Sequence, residues 1–289
     1  MPVVVDVLSE IAKNLAMSLP PVRAWRLRRP RAGVSYTGSS GELDRYAFLG
    51  LDILIERVGP LAGRSVVEFG PGDLLTSGLA MLAAGAAHYA TFDRFAGDYG
   101  GAEARKWYAA IEAHWPAKYP ALPWPAWLEA ERFPHGYPDR VTSLEFGVER
   151  VPDMGQFDLV CSFQVGEHVS DIAAFANATK AMLTRGGVAV PRVDFGPHGV
   201  WEKYSDPLTF LRLPDLAWRW MGSARGTPNR RRVHEFVDAF RAAGLSVELH
   251  DLEFFESTRI DGSKLNRRFR AMPPESLRTR TALFVCRAD

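Results

Sequence analysis

Cysteine is nearly absent from this 289-residue chain: there are two, Cys161 and Cys286, each inside an apolar run. Two thiols so placed exclude a disulfide framework and point to a reducing compartment. No group of Cys, His, Asp or Glu has metal-ligand spacing, so no metal is expected. An excess of either charge is lacking too. Lys+Arg number 35 against Asp+Glu 34, a formal charge of +1, so no global field recruits a polyanion and nucleic acid is not an expected partner. Long apolar runs are also missing. The longest, Leu79 to Ala87, falls far short of the ~20 residues that span a bilayer. The opening Met1-Pro2-Val3-Val4-Val5-Asp6 lacks the basic start and unbroken apolar stretch of a secretory signal. A cytoplasmic location and no membrane span are therefore expected.

What is present is a large apolar fraction, 47%, in a chain a little longer than the ~250 residues at which a single core stops growing. One α/β domain with decoration is the economical reading. Its most informative stretch is Ser65-Val66-Val67-Glu68-Phe69-Gly70-Pro71-Gly72-Asp73, followed by a helical run and then Tyr89-Ala90-Thr91-Phe92-Asp93. Strand, glycine turn, helix and a second strand ending in a carboxylate are how a doubly wound sheet builds a nucleotide pocket at its carboxyl edge. Gly70 and Gly72 let the backbone turn with positive φ and approach a ligand closely. Asp93 is placed to accept hydrogen bonds from a ribose. A dinucleotide fingerprint needs a third glycine where this chain has Leu75, and Asp73 sets negative charge against a pyrophosphate. A cationic adenosine-type cofactor fits better.

These residues carry a family resemblance. Val66 to Gly72 resembles the first motif of class I S-adenosylmethionine-dependent methyltransferases, and Asp93 matches the ribose-binding acid of that family. Gln156 to Ser162 looks like its fourth strand, and Ala178 to Val190, with Arg185-Gly186-Gly187, like the helix, glycine turn and fifth strand that follow. The resemblance covers about residues 60 to 250 and implies a Rossmann-like, doubly wound, mostly parallel seven-stranded sheet. It also implies an S-adenosyl-L-methionine cofactor held by Glu68, Phe69, Gly70, Pro71, Gly72, Asp93 and Arg94. Val148 and Glu149 fall where the adenine-contacting turn belongs, the usual acid being replaced by Gly147. Ser162, Phe163 and Gln164 are expected beside the methionine part.

Residues 1–59 read as an N-terminal helical extension and 60–289 as the catalytic domain, with 97–140 as an aromatic-rich insertion. Val5 to Leu19 has Val5, Leu8, Ile11 and Leu15 at helical spacing before Pro20-Pro21. A basic stretch follows, Val22 to Arg31, to be weighed as a phosphate, acidic-substrate or membrane contact against a solvated face. Glu42 to Val58 and Glu103 to His114 read as helices, and Val141 to Phe146 as the third strand. Trp115 to Pro138 is too long for a simple connection. Its aromatics, Trp115, Tyr119, Trp124, Trp127, Phe133 and Tyr137, form either a lid or a satellite core that seals a sheet edge. Asn229 is read as the N-cap of a helix over Arg230 to Ala243, and Arg230-Arg231-Arg232 as a clamp for an anionic substrate group or a wet helix start. Leu245 to Leu249 and Thr281 to Cys286 read as paired final strands.

Two histidines are candidates for chemistry. His198 lies in Asp194-Phe195-Gly196-Pro197-His198-Gly199 at the exit of the fifth strand, with Asp194 close enough in sequence to orient it. Its ring titrates near neutrality and suits a general base. His168, in Glu167-His168, follows the fourth strand and is either a second base or a structural hydrogen-bonder. The expectation is a methyltransferase acting on a small molecule, moving a methyl group to oxygen or nitrogen of a secondary metabolite or sugar. A non-catalytic binding protein on the same fold and, more remotely, a nicotinamide-dependent reductase are the alternatives. Oligomeric state is left open, a homodimer being one option.

Overall fold

A computed structural model describes residues 2–22, 25, 37–94, 96–145, 147, 154–222 and 226–288. The apolar runs form the strands β1 (Ser65–Phe69), β2 (His88–Asp93), β3 (Val141–Glu145), β4 (Phe157–Phe163), β5 (Leu183–Asp194), β6 (Leu245–Phe254) and β7 (Thr279–Ala288). They make one sheet in the order β3-β2-β1-β4-β5-β7-β6. The first five are parallel, and β7 enters antiparallel between β5 and β6. In β1, successive residues Val66, Val67, Glu68 and Phe69 are all buried, as a parallel strand covered on both faces requires.

Helices cover the two faces. The first core lies under α2 (Ser40–Leu43, Asp44–Phe48 and Leu49–Val58 in one run, its middle piece a π turn), α3 (Thr76–Ala83) and α4 (Ala102–Lys118). The second lies under α5 (Ile172–Ala181) and, beyond the fifth strand, α7 (Val233–Ala242). A satellite core gathers Trp201, Phe210, Trp218 and Phe269, and on it dock α1 (Pro2–Ser18) and α6 (Asp215–Gly222). The register pairs Phe69 with Phe92 and with Ser162, and Ser162 with Pro191. The carboxyl ends of β1, β2, β4 and β5 therefore come level, and the loops that leave them share one edge.

Several local expectations change. α4 runs past His114 to Lys118, because Trp115 is a buried anchor of the first core whose indole N–H donates to the Leu122 carbonyl at 2.6 Å. Trp107, Tyr108, Phe133 and Tyr137 are buried with it, so the aromatics of 97–140 extend the core. Gly186-Gly187 is no separate turn. It lies in a bulge of β5, where Phe157 pairs with Leu183 but Leu159 pairs with Val188. α7 starts at Val233 with Arg232 at its N-cap, and Asn229 does not cap it. The Asn229 amide instead donates to the carbonyls of Gly166 and Val169 at 2.8 and 2.9 Å, bracketing the turn after β4. Phe146, Val148, Glu149 and most of the basic stretch 22–31 lie outside the described residues. Residues 40–58, read with the extension, put Leu43, Phe48, Leu51 and Leu54 into the first core.

Candidate functional site

The loop after β1 is held by backbone. Gly70 and Gly72 have φ of +66° and +78°, a region that other residues enter only with strain. A Cβ on Gly72 would project into open space, whereas one on Gly70 would strike Val165. The Gly72 amide donates to Asp93 at 3.1 Å, so the carboxylate that ends β2 is tied to the glycine loop. Beneath it the Tyr99 hydroxyl donates to the Gly72 carbonyl at 3.2 Å, and the Tyr108 hydroxyl to the Tyr99 carbonyl at 3.1 Å. Neither tyrosine stood out in the sequence, since the contact needs the 97–140 segment folded against the loop.

Glu68 sits under α3 with its carboxylate buried and bonded by the Tyr89 hydroxyl at 2.6 Å. Desolvation, only partly offset by Tyr89 and Ser77, raises its pKa to about 7. The structure thus places it behind the loop as a prop. Phe69 packs with Phe92 and Phe175 in the second core, and Arg94 is exposed at the exit of β2. Ser162 is buried with its hydroxyl unpartnered, and the Phe163 ring lies against Gly50 of α2. Gln164 takes a left-handed φ of +61°. That uncommon conformation turns the chain sharply off β4, and its amide is fixed by the Arg192 carbonyl at 2.9 Å.

The exits of β4 and β5 and the loop after β6 line a cleft of about 760 Å³. Most of its lining is polar, including Gln164, Glu167, His168, Asp194, His198, Glu202 and Arg280, while Phe254 and Phe255 add an apolar patch. Among the described residues, none that lines it comes from 97–140. His198 Nε2 stands 3.5 Å from Asp194 Oδ2, and Asp194 also accepts from the Gly196 amide at 2.7 Å. Burial disfavours the His198 cation, but the Asp194 hydrogen bond and charge, with Glu167 and Glu202, outweigh it and raise the ring's pKa. Asp194 is lowered, burial being overcome by His198 and the Gly196 amide.

His168 stacks on His198, ring centroids 5.3 Å apart, and its Nδ1 is engaged by the Gly226 carbonyl at 2.8 Å. Although the residue reaches the surface, desolvation of the stacked ring lowers its pKa, helped by the neighbouring His198. Its second neighbour, Glu167, is 2% exposed, and no hydrogen bond of normal geometry reaches either carboxylate oxygen. Desolvation raises it to about 8, against the nearby amides of Glu167 and Asp194 and the His198 ring. In sequence Glu167 was visible only as His168's neighbour. Its burial, which makes it a prospective donor or acceptor for a ligand, is set by Asn229 bracketing the turn.

The arginine run is no clamp. Arg232 is fully buried and donates to the carbonyls of Phe195, Ser276, Leu277 and Thr279. Arg230 donates to those of Phe210 and Leu213 and to Asp215, and Arg231 to Glu235. Through the Phe195 carbonyl, Arg232 braces the loop that carries His198.

The open cradle at Gly72, the adjoining Asp93 carboxylate and the orphaned Ser162 hydroxyl at the same edge fit a cationic, ribose-bearing ligand. Comparison with known proteins agrees. A family model described as a methyltransferase domain matches residues 43–250. The chain belongs to this methyltransferase family and is an S-adenosyl-L-methionine-dependent enzyme of class I. No curated protein matches it. Among solved structures, the complex between the Haloferax volcanii Trm112 methyltransferase activator and a methyltransferase matches at 17% identity, with 86% of this chain and 92% of that one covered and a TM-score of 0.46. An S-adenosylmethionine-dependent methyltransferase from Mesorhizobium loti matches at 17%, with 82% and 96% covered and a TM-score of 0.43. Phosphoethanolamine N-methyltransferase 2 of Haemonchus contortus, in complex with S-adenosyl-L-methionine, matches at 13%, with 83% and 52% covered and a TM-score of 0.47. Likenesses this distant say nothing of the substrate.

Proposed function

We propose that this enzyme methylates an oxygen or nitrogen of a small polar molecule, of the sugar or secondary-metabolite kind, held in the cleft at His198. The observation that carries the reading is the His198–Asp194 pair, 3.5 Å apart, on the wall of a mostly polar cleft at the carboxyl edge. The bound cofactor supplies an electrophilic methyl on a sulfonium. Gly70, Pro71, Gly72 and Asp93, with Glu68 as prop, bind it, and Arg94, Ser162, Phe163 and Gln164 complete its surroundings.

The remaining work belongs to side chains of the cleft. Asp194 holds the His198 ring through Nε2, which leaves Nδ1 for an acceptor proton. Removing that proton as the nucleophile attacks is general-base catalysis, commonly worth roughly 10²–10⁴-fold. His168, its own Nδ1 occupied, serves as the plate on which His198 stacks. Glu167 meets a hydroxyl or amine of the substrate, satisfying a carboxyl that otherwise has no partner. Positioning carries the rest, since an in-line displacement gains most from holding both reactants in register. A cytoplasmic setting suits the two reduced, buried cysteines.

The test is release of demethylated cofactor across a panel of small hydroxyl and amine compounds, with wild type and His198→Ala. Turnover on panel members that collapses in the variant supports the reading. Turnover unchanged by the substitution removes His198 from the chemistry.

A further inference from the structure

S-adenosyl-L-methionine is a cation at sulfur, but its methionine end carries a carboxylate. Taken out of water, that group needs a cation or several donors to face it. Arg94 leaves β2 beside Asp93, at the ribose end. Among the described residues, the guanidinium groups that line the cleft belong to Arg45 and Arg280. Arg280 lies on β7 next to Thr281, the strand partner of Asp194, and so belongs to the histidine end.

Arg45 comes from α2, and two contacts fix where that helix lies. The Thr76 hydroxyl donates to the Tyr46 carbonyl. Gly50 packs so tightly on the Phe163 ring that a Cβ there would stand 2.8 Å from it. Thr76 opens α3, the helix that follows the Gly70–Gly72 loop, and Phe163 ends β4. α2 therefore spans the two elements between which the methionine part is expected, and Arg45 lines the cleft there together with Gln164.

The helix is irregular at this point. Asp44–Phe48 is a π turn, whose added residue turns the side chains beyond it about 100° from their α-helical register. Leu43, Ala47 and Phe48 remain in the first core while Arg45 stays exposed. The guanidinium is steadied by its neighbour, with Cζ 5.1 Å from the Tyr46 ring centroid, and Tyr46 stands edge-on to the buried Trp107. Asp44 is engaged by Lys118 at 3.0 Å. No carboxylate among the described residues lies within ion-pair distance of Arg45.

We infer that Arg45 binds the α-carboxylate of S-adenosyl-L-methionine. The planar fork of a guanidinium matches the two oxygens of a carboxylate. The inference rests on the reading that the glycine end holds the cofactor, and it adds α2 to the elements that select it.

The experiment is calorimetric titration of the full chain with S-adenosyl-L-methionine and with its decarboxylated analogue, which keeps the adenosine, the sulfonium and the amine. Wild type, Arg45→Ala, Arg45→Lys and Arg280→Ala are compared after their urea unfolding midpoints are matched. Arg45→Ala should lose about tenfold to a hundredfold in affinity for the cofactor. Arg45→Lys should lose less, since it keeps the charge without the fork. The analogue should bind wild type more weakly than the cofactor does and lose nothing further in Arg45→Ala, and Arg280→Ala should match wild type with both ligands. Wild-type affinity for the cofactor in Arg45→Ala would overturn the inference. So would an equal loss with both ligands, which would make Arg45 a support of the loop, or a loss that appears in Arg280→Ala instead. A wild type that binds neither ligand would overturn the cofactor assignment on which the inference rests.

Discussion

The two ends of the site are built from different materials. At the glycine end, conformation comes from backbone: positive φ at Gly70 and Gly72, one amide tied to Asp93, and tyrosine hydroxyls on carbonyls below. At the histidine end it comes from titratable side chains that lean on one another, His198 on Asp194 and His168, with Glu167 buried and unpartnered beside them. Backbone dipoles do not titrate, so at the glycine end only Glu68, raised to about 7 behind the loop, should give cofactor binding a pH dependence near neutrality. Side-chain pairs do titrate, so turnover should depend on pH as well.

The comparison breaks most visibly through the prop behind the histidine loop. Arg232→Ala strips donors from four buried carbonyls. It should cost about 3–5 kcal/mol of stability, read as the shift in a urea unfolding midpoint. A shift below about 1 kcal/mol would mean the loop stands without it.

His198→Ala sharpens the contrast at the chemical step. Turnover should fall by roughly 10²–10⁴-fold with cofactor affinity unchanged. Equal losses in both would show that the two ends are not separate.

Glu167→Gln tests the unpartnered carboxyl. A carboxyl whose folded pKa is raised to about 8 holds its proton in the folded state over a range where the unfolded chain has lost it. Folding stability must then decline as pH rises from the ordinary glutamate range toward 8, and Glu68, raised to about 7, adds to this. The variant should gain on wild type by on the order of 1–3 kcal/mol at pH 8 relative to pH 5, measured by chemical unfolding at both. A constant difference across that range would place Glu167 in water.

Asp194→Asn has the smallest effect. The aspartate raises the His198 pKa, and the base must be neutral to act, so wild-type turnover falls as pH drops through that raised value. Without the carboxylate the acid limb of kcat should move to lower pH. An unmoved limb would assign it to another group.

The glycine end was the more legible of the two in the sequence. Val66 to Gly72 and Asp93 mark it because a strand followed by a tight turn leaves a local signature. The histidine end was legible in its members and not in its construction. Arg230 and Arg232 read as part of a clamp or a wet helix start, because charge is normally outside, yet the burial of Arg232 depends on the carbonyls of Ser276, Leu277 and Thr279, more than forty residues away. The helical spacing of Val5, Leu8, Ile11 and Leu15 located α1. It did not show which side faces in, because Asp6 is buried only by virtue of Lys203 and Tyr204. The bulge in β5 and the π turn in α2 come from pairing and packing across the fold, to which a local pattern is blind.

The most direct measurement is a calorimetric titration of S-adenosyl-L-methionine into wild type, Asp93→Ala and His198→Ala at one pH. Saturable heat of equal affinity is expected from wild type and His198→Ala, and none from Asp93→Ala. Full affinity in Asp93→Ala, or silence in wild type, would contradict the assignment of the cofactor to the glycine end.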